Sequence, residues 1–177
     1  MNIEFSLIAA VDDDMGIGKN NSLAWRIKGD LEYFHKVTTE SCDGKRNVVI
    51  MGGNTWDSLP KFAQPLRDRI NVVLTSRDLD VPDGVILARS FEDAFLRIDD
   101  LGNVVDKVFV IGGASVYSQA IELSFCKRIY LTRVFDRFDC DTFFPDVDDD
   151  VFEVVSKSDV FEENGIRYQF FVYERIL

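Results

Sequence analysis

The chain has one histidine, three cysteines and four prolines among 177 residues. A lone histidine, His35, cannot build a histidine-based metal site, and without a GxSxG elbow a serine–histidine triad has no frame to form on. Cys42, Cys126 and Cys140 lie far apart, form no CxxC pair and are odd in number, the pattern of reduced thiols rather than of a disulfide framework. Positive charge is scarce: 20 Lys and Arg against 31 Asp and Glu leave a formal net charge of −11. A general nucleic-acid binder or a partner of anionic membranes wants a basic face, so neither is expected. An anionic small molecule is still admissible where a few Arg or Lys converge on it. No apolar run approaches the roughly 20 residues of a membrane span. Met1-Asn2-Ile3-Glu4 lacks a basic start, and the apolar stretch after it runs into Asp12-Asp13-Asp14, so no secretory signal is read there and a cytoplasmic protein is expected. Repeats, low-complexity tracts and Pro/Gly/Ser linkers are absent as well, so residues 1–177 read as one domain.

What is present is an ordinary globular composition, 46% hydrophobic and 29% charged. Short β-branched and aliphatic runs recur at Ile3–Val11, Asn47–Met51, Ile70–Thr75, Gly84–Ala88, Lys107–Ile111, Arg128–Phe135, Phe152–Ser156 and Arg167–Glu174. Unbroken apolar runs such as Val48-Val49-Ile50-Met51 suit central strands covered on both faces. Helical spacing falls over Asp30–Thr38, Ser90–Leu101 and Ala114–Ser124; in the first, Leu31, Phe34 and Val37 share a face. Strands alternating with helices predict an α/β sheet with helices on both sides, and the helix-free last third predicts an antiparallel finish. Residues 12–24 and 57–69 read as long loops, which in a compact domain are usually functional.

Two places could carry chemistry. In Val110-Ile111-Gly112-Gly113-Ala114-Ser115 a buried strand ends in two glycines and a helix follows, which suits phosphate at a helix start; the same pair can serve merely to turn the chain. Neither Gly16-Ile17-Gly18 nor Gly112-Gly113 completes a GxGxxG fingerprint, so a nucleotide site here is not of the Rossmann design. Asp30 opens a helix, where an aspartate is ordinarily a cap. Trp25, Leu31 and Phe34 nearby suggest instead an apolar setting that raises its pKa and suits proton delivery near neutrality. Metal readings fail: Asp146-x-Asp148-x-Asp150 begins like a calcium loop, but Val151 and Lys157 stand at its glycine and glutamate positions. Asp12-x-Asp14-x-Gly16 ends on Leu23. No metal is expected.

Taken in order, Ser6-Leu7-Ile8-Ala9-Ala10, Gly16-Ile17-Gly18, Leu23-Ala24-Trp25, Asp30-Leu31-x-x-Phe34, Val49-Ile50-Met51-Gly52, Thr55-Trp56-x-Ser58-Leu59-Pro60, Arg69-x-Asn71 through Arg77, Ile111-Gly112-Gly113 with Val116-Tyr117, and Leu131-Thr132 with Asp141-Thr142-x-Phe144-Pro145 resemble the dihydrofolate reductases. The resemblance spans nearly the whole chain. It implies one central sheet of eight strands, mostly parallel with an antiparallel C-terminal strand, and about four flanking helices. The implied activity is NADPH-dependent reduction of dihydrofolate to tetrahydrofolate, with hydride delivered to C6 of the pterin and a proton to N5. Dihydrofolate and antifolate-like small molecules are the implied partners, and a monomer is expected.

The resemblance assigns Asp30 as the ionisable catalytic residue, binding the pterin and promoting its protonation, with Thr132 bonded to it. Ile8, Leu31, Phe34, Leu59, Leu66 and Ile111 match the substrate's apolar walls, and Arg69 matches the arginine that pairs with its glutamate carboxylate. The cofactor contacts implied are Ala10, Gly16, Ile17, Gly18, Asn21, Leu23 and Trp25 in the first loop region, then Asn54, Thr55, Thr75, Ser76 and Arg77. The run Gly112, Gly113, Ala114, Ser115, Val116 and Tyr117 completes them, with a cis bond between the glycines. Residues 16–24 match the loop that closes over the nicotinamide. Four departures stand out: Gly53 replaces a basic residue near the cofactor's 2′-phosphate, Ala24 a loop proline, Arg67-Asp68 a Pro-Gly, and Cys140 a small residue. Two other readings are a reductase of a ribosylated pyrimidine and a non-catalytic module that keeps the fold.

Overall fold

A computed structural model describes residues 2–177; Met1, part of the start read above as lacking a signal, lies outside the described residues. In chain order the elements are β1 (Phe5–Val11), β2 (Gly16–Gly18), α1 (Lys28–Thr39), β3 (Arg46–Gly52), α2 (Gly53–Ser58), β4 (Arg69–Leu74), β5 (Ile86–Ala88) and α3 (Phe91–Asp100). They continue with β6 (Val105–Gly112), α4 (Ala114–Glu122), β7 (Cys126–Val134), β8 (Thr142–Phe143), β9 (Phe152–Lys157), β10 (Phe161–Glu163) and β11 (Ile166–Arg175). One sheet runs β10-β11-β7-β1-β6-β3-β4-β5, with β9 also on β11. β10 pairs with the start of β11 and β9 with its end, along the same edge. Nine strands therefore occupy eight places across the sheet.

Every pairing from β7 across to β5 is parallel, and β11 runs against β7. The connections dictate this. A parallel return needs a crossover, which α1, α2, α3 and α4 help supply; after β7 no helix intervenes, and the chain comes back antiparallel. Within the central strands, successive residues go to opposite faces. Leu7, Val48, Ile50, Val72, Val108 and Val110 pack with Ala94 and Ile98 of α3 and Tyr117, Ala120 and Ile121 of α4. Ile8, Val49, Met51, Val73 and Phe109 pack with Trp56 of α2 and with Phe34 and Val37 of α1. The apolar runs that look unalternating in sequence are thus two alternating sets, each with its own helices.

Three boundaries differ from the sequence reading. The first helix starts at Lys28, not Asp30. Its opening N–H groups, those of Lys28 and Gly29, donate to the Glu163 carboxylate at 2.6 and 3.1 Å, a cap supplied from the far end of the chain that local pattern cannot show. Asp30 is thereby released from the capping role. Within residues 12–24, read as loop, β2 pairs antiparallel with β8. Residues 53–58, which show no helical pattern in sequence, form the short helix α2, whose Gly-Asn start carries little helical propensity. Among the described residues, no helix is long and apolar enough to cross a membrane.

Candidate active site

The carboxyl ends of the parallel strands open onto a cavity of about 870 Å³. Ala9 and Ala10 of β1, Gly52 of β3, Leu74 of β4, and Ile111 and Gly112 of β6 line it, so it sits in the crevice where open parallel sheets take ligands. From the candidate cofactor set, the structure places Ala10, Ile17, Gly18, Asn21, Leu23, Asn54, Thr55, Thr75, Ser76, Arg77 and the whole run Gly112–Tyr117 along this one cavity. Gly112–Gly113 is a cis peptide. Gly112 has φ +124°, and a Cβ there would meet the Tyr117 ring at 3.2 Å. Behind it the Tyr117 hydroxyl donates to the Ile8 carbonyl at 2.6 Å, fixing α4 to β1. The first turn of α4 has no acidic side chain and no side-chain cap, leaving the N–H groups that open the helix available to an anion.

Two members of the set lie elsewhere. Trp25 is buried in a separate cluster, its ring centroid 5.1 Å from that of Phe138. Gly16 sits beneath the first loop, where a Cβ would strike Cys140. That loop is tied down by buried Asp12, whose carboxylate accepts the N–H groups of Asp14 at 2.9 Å, Gly16 at 2.8 Å and Phe138 at 3.1 Å, and the Cys140 thiol at 3.6 Å. Burial, with the Asp12 charge added, pushes that thiol up to about 11, so it stays protonated as a donor.

Several lining residues are not assigned as contacts in the sequence reading: Ser58, Arg89, Ser90, Phe91, Gln119 and Thr142. Some carry a signal. Ser90 accepts the Asp93 N–H at 3.1 Å while the Asp93 carboxylate accepts the Arg89 N–H at 2.9 Å, a helix start legible as Ser-x-x-Asp directly after a strand. Thr142 enters through the β2–β8 pairing, which residue spacing does not announce.

The apolar candidates gather beside the cavity. Ile8 is in the core of one cluster, and Phe34, Leu59, Leu66 and Ile111 pack against it. Ile111 also lines the large cavity, so the two regions meet at this residue. Leu31 stands apart, 41% exposed, one residue around the helix from Asp30. Arg69 is 7% exposed. Its Nε donates to the Arg67 carbonyl at 2.8 Å and its Nη1 to Thr38 Oγ1 at 3.0 Å, and Thr38 in turn donates to the Phe34 carbonyl at 2.7 Å. Among the described residues no carboxylate forms a salt bridge with it. Burial lowers its pKa, only partly countered by Asp68. A desolvated guanidinium so held suits an anion brought in from outside.

Asp30 is the third residue of α1, and its Oδ1 accepts the Thr132 hydroxyl at 2.7 Å across to β7. Thr132 is itself 2% exposed and pairs in register with Ala10, a lining residue of the cavity. Burial raises the Asp30 pKa, and the Thr132 bond offsets part of that rise. The surroundings are more aromatic than the sequence suggests: the Asp30 charge acts on Tyr33, Tyr117 and Tyr168, and Tyr33 stacks on Phe170 at 3.9 Å. A partly buried carboxyl of raised pKa, near an apolar wall with a lone arginine and a large cavity, can hold a proton beside a bound ring at a pH where a free aspartate has lost it.

Residues 4–175 match the family model described as dihydrofolate reductase. The chain is 42% identical over 186 residues to the viral dihydrofolate reductase of Saimiriine herpesvirus 2 (strain 488), covering 100% of this chain and 87% of that protein. It is 40% identical to the dihydrofolate reductase of Drosophila melanogaster, with 98% of each chain covered. The Rattus norvegicus dihydrofolate reductase is 42% identical, with 95% of each chain covered.

Proposed function

The chain belongs to the dihydrofolate reductase family, and from that premise we propose how its residues divide the work of the reaction. It is an oxidoreductase that reduces dihydrofolate to tetrahydrofolate with NADPH as cofactor. The cavity at the carboxyl edge of the sheet takes the cofactor. Its volume of about 870 Å³, its glycine-lined floor at Gly52, Gly112 and Gly113, and the uncapped start of α4 fit an elongated ligand with phosphates at its middle. Bound NADPH supplies the hydride for C6 of the pterin. Ile17, Gly18, Asn21 and Leu23 of the first loop cover that part of the cavity and exclude water, with Asp12 anchoring the base of the loop.

The pterin lies against Ile8, Phe34 and Ile111, with Leu31, Leu59 and Leu66 bordering the remainder of the substrate. Arg69 receives the glutamate carboxylate. Asp30 hydrogen-bonds the pterin ring and promotes proton delivery to N5, while Thr132 orients the carboxyl and limits how far burial raises its pKa. Trp25 and Gly16 act by holding the loop and its surroundings in place. The assignment of Asp30 rests above all on one observation, a partly buried carboxyl of raised pKa bonded only to Thr132 among side chains.

The same pocket accepts antifolate-like small molecules, since they share the pterin's hydrogen-bonding edge. One continuous sheet supports reading residues 1–177 as a single domain. Cavity and apolar wall are both completed within one chain, which supports a monomer. The three unpaired cysteines support a cytoplasmic setting, and the charge of −11 argues against nucleic acid or an anionic membrane as a partner.

The test follows cofactor oxidation with dihydrofolate, using NADPH and NADH in parallel, for the wild type and Asp30→Asn. Expected are NADPH oxidation by the wild type and a loss of about 10²–10⁴-fold in the variant at neutral pH, partly recovered at low pH where the substrate carries its own proton. Near-normal turnover of Asp30→Asn at pH 7 would strip Asp30 of its part in protonation.

A further inference from the structure

One end of the large cavity holds two guanidinium groups, those of Arg77 and Arg89, and each already has an acidic partner. Arg77 Nη2 lies 2.8 Å from Asp57 Oδ2, and Arg89 Nη2 lies 2.9 Å from Asp78 Oδ1. Locally the charges sum to zero, in a cavity that serves an anionic cofactor. The Arg77 pair is made possible by Gly53. A Cβ on Gly53 would meet Arg77 Nη2 at 2.7 Å and Thr75 Oγ1 at 3.3 Å, so the guanidinium lies in the space where a side chain at 53 would begin. Asp57 follows Gly53 by four residues on α2, hence on the same face, and Arg77 crosses that face to reach it. Asp57 itself does not line the large cavity; it lines a neighbouring hollow of about 510 Å³ with Trp56, Lys61 and Leu79. Arg77 bridges the two.

We propose that Asp57 sets this chain's preference between phosphorylated and unphosphorylated nicotinamide dinucleotides, by competing with the cofactor's 2′-phosphate for the Arg77 guanidinium. This rests on reading the cavity as the cofactor's. The carboxylate acts in two ways. It occupies Nη2 of the guanidinium that would draw the phosphate, and its negative charge repels that phosphate. A cofactor without the phosphate meets neither obstacle. With Gly53 supplying no cation of its own, Arg77 is the nearest one, and Asp57 holds it at a discount to the phosphorylated form. Asp57 is a positioning residue: it touches Arg77, not the cofactor.

The test is calorimetric binding of NADP⁺ and NAD⁺, which needs no turnover, to wild type, Asp57→Asn, Arg77→Gln and the double variant. Asn keeps the size and an oxygen acceptor for Arg77 while removing the charge. Both partners are about half exposed, so the effect is modest: NADP⁺ should bind roughly 2–5-fold more tightly to Asp57→Asn, with NAD⁺ unchanged. In the Arg77→Gln background the Asp57→Asn gain should vanish, since it runs through that guanidinium. Unchanged or weaker NADP⁺ binding in Asp57→Asn, or equal shifts for both dinucleotides, would overturn the proposal. If Arg77→Gln weakens NADP⁺ and NAD⁺ alike, the reading of this end of the cavity fails instead. If Arg77→Gln is selective and Asp57→Asn is silent, the failure belongs to Asp57 alone.

Discussion

Replacing Arg69 by Lys tests whether the buried guanidinium is built for the substrate's glutamate. The side chain is fixed before any ligand arrives: Nε on the Arg67 carbonyl at 2.8 Å, Nη1 on Thr38 at 3.0 Å, and the guanidinium carbon 6.0 Å from the centre of the Phe34 ring. It is 7% exposed and forms a salt bridge with no carboxylate among the described residues, so its desolvation is only partly countered, by the Asp68 charge. An incoming carboxylate meets a planar fork already oriented. Lysine keeps the charge but loses the Nε anchor, and its three N–H donors share one nitrogen where arginine presents two in parallel from a planar fork. Losing one charge-assisted hydrogen bond is worth about 1.5–3 kcal/mol, which corresponds to a KM for dihydrofolate raised roughly 10–150-fold. The glutamate is remote from the reacting atoms and bound equally in ground and transition states, so kcat should hardly move. Steady-state kinetics should be run with dihydrofolate and with a dihydropterin lacking the glutamate tail, beside a melting curve to show that the variant is folded. An equal KM penalty on the tail-less substrate, or none on dihydrofolate, would refute the assignment of Arg69 to the glutamate.

Two further substitutions test the same architecture. Asp30→Asn should make the fold more stable at neutral pH even as it disables turnover: burial raises the folded-state pKa, so Asp30's favourable contribution is present below the ordinary carboxylate range and is lost as pH rises through the folded value. The stability gap in urea midpoints should therefore be widest near pH 7 and close below about pH 4, and a gap that ignores pH would show that Asp30 ionises without cost in the fold. Gly112→Ala places a methyl at φ +124° and 3.2 Å from the Tyr117 ring, a strain of about 1–3 kcal/mol that should lower Tm by roughly 2–12 °C and weaken NADP⁺ binding; an unchanged Tm would mean that the turn absorbs the side chain.

The parallel sheet is legible because its signal is local: unbroken apolar runs of strand length separated by helical spacing are what burial on both faces requires. The split of Val48-Val49-Ile50-Met51 between two helix layers follows from strand geometry alone. What stays hidden depends on partners distant in sequence. Asp30 reads as a cap in isolation because nothing nearby reveals that Glu163 supplies the cap from the other end of the chain. The β2–β8 ribbon is two and three residues of no particular propensity, held in place by pairing rather than preference. Arg89 is invisible for a similar reason, since a single arginine before a helix becomes a cavity residue only once β5 and α3 bring it to the sheet's carboxyl edge.

The same distinction bears on how the Asp30 carboxyl is tuned. In sequence, the raised pKa of Asp30 follows from Trp25, Leu31 and Phe34; Leu31 is exposed, and Trp25 belongs to the buried cluster that also holds Tyr168 and Phe170. The direction and its cause, desolvation, are as read from the sequence. Tyr33, Tyr168 and Phe170 pack together where α1 meets β11, the Asp30 charge acts on both tyrosines, and Thr132 supplies the bond that offsets part of the burial. Helix capping and the setting of Asp30 are therefore linked. Glu163, by capping the helix, leaves Asp30 free to bond Thr132, and the antiparallel return that carries Glu163 in also carries in Tyr168 and Phe170. The helix-free last third of the chain, which contributes no lining to the cofactor cavity beyond Thr142, thus helps set the proton affinity of Asp30 through Thr132, although Asp30 itself is outside that lining.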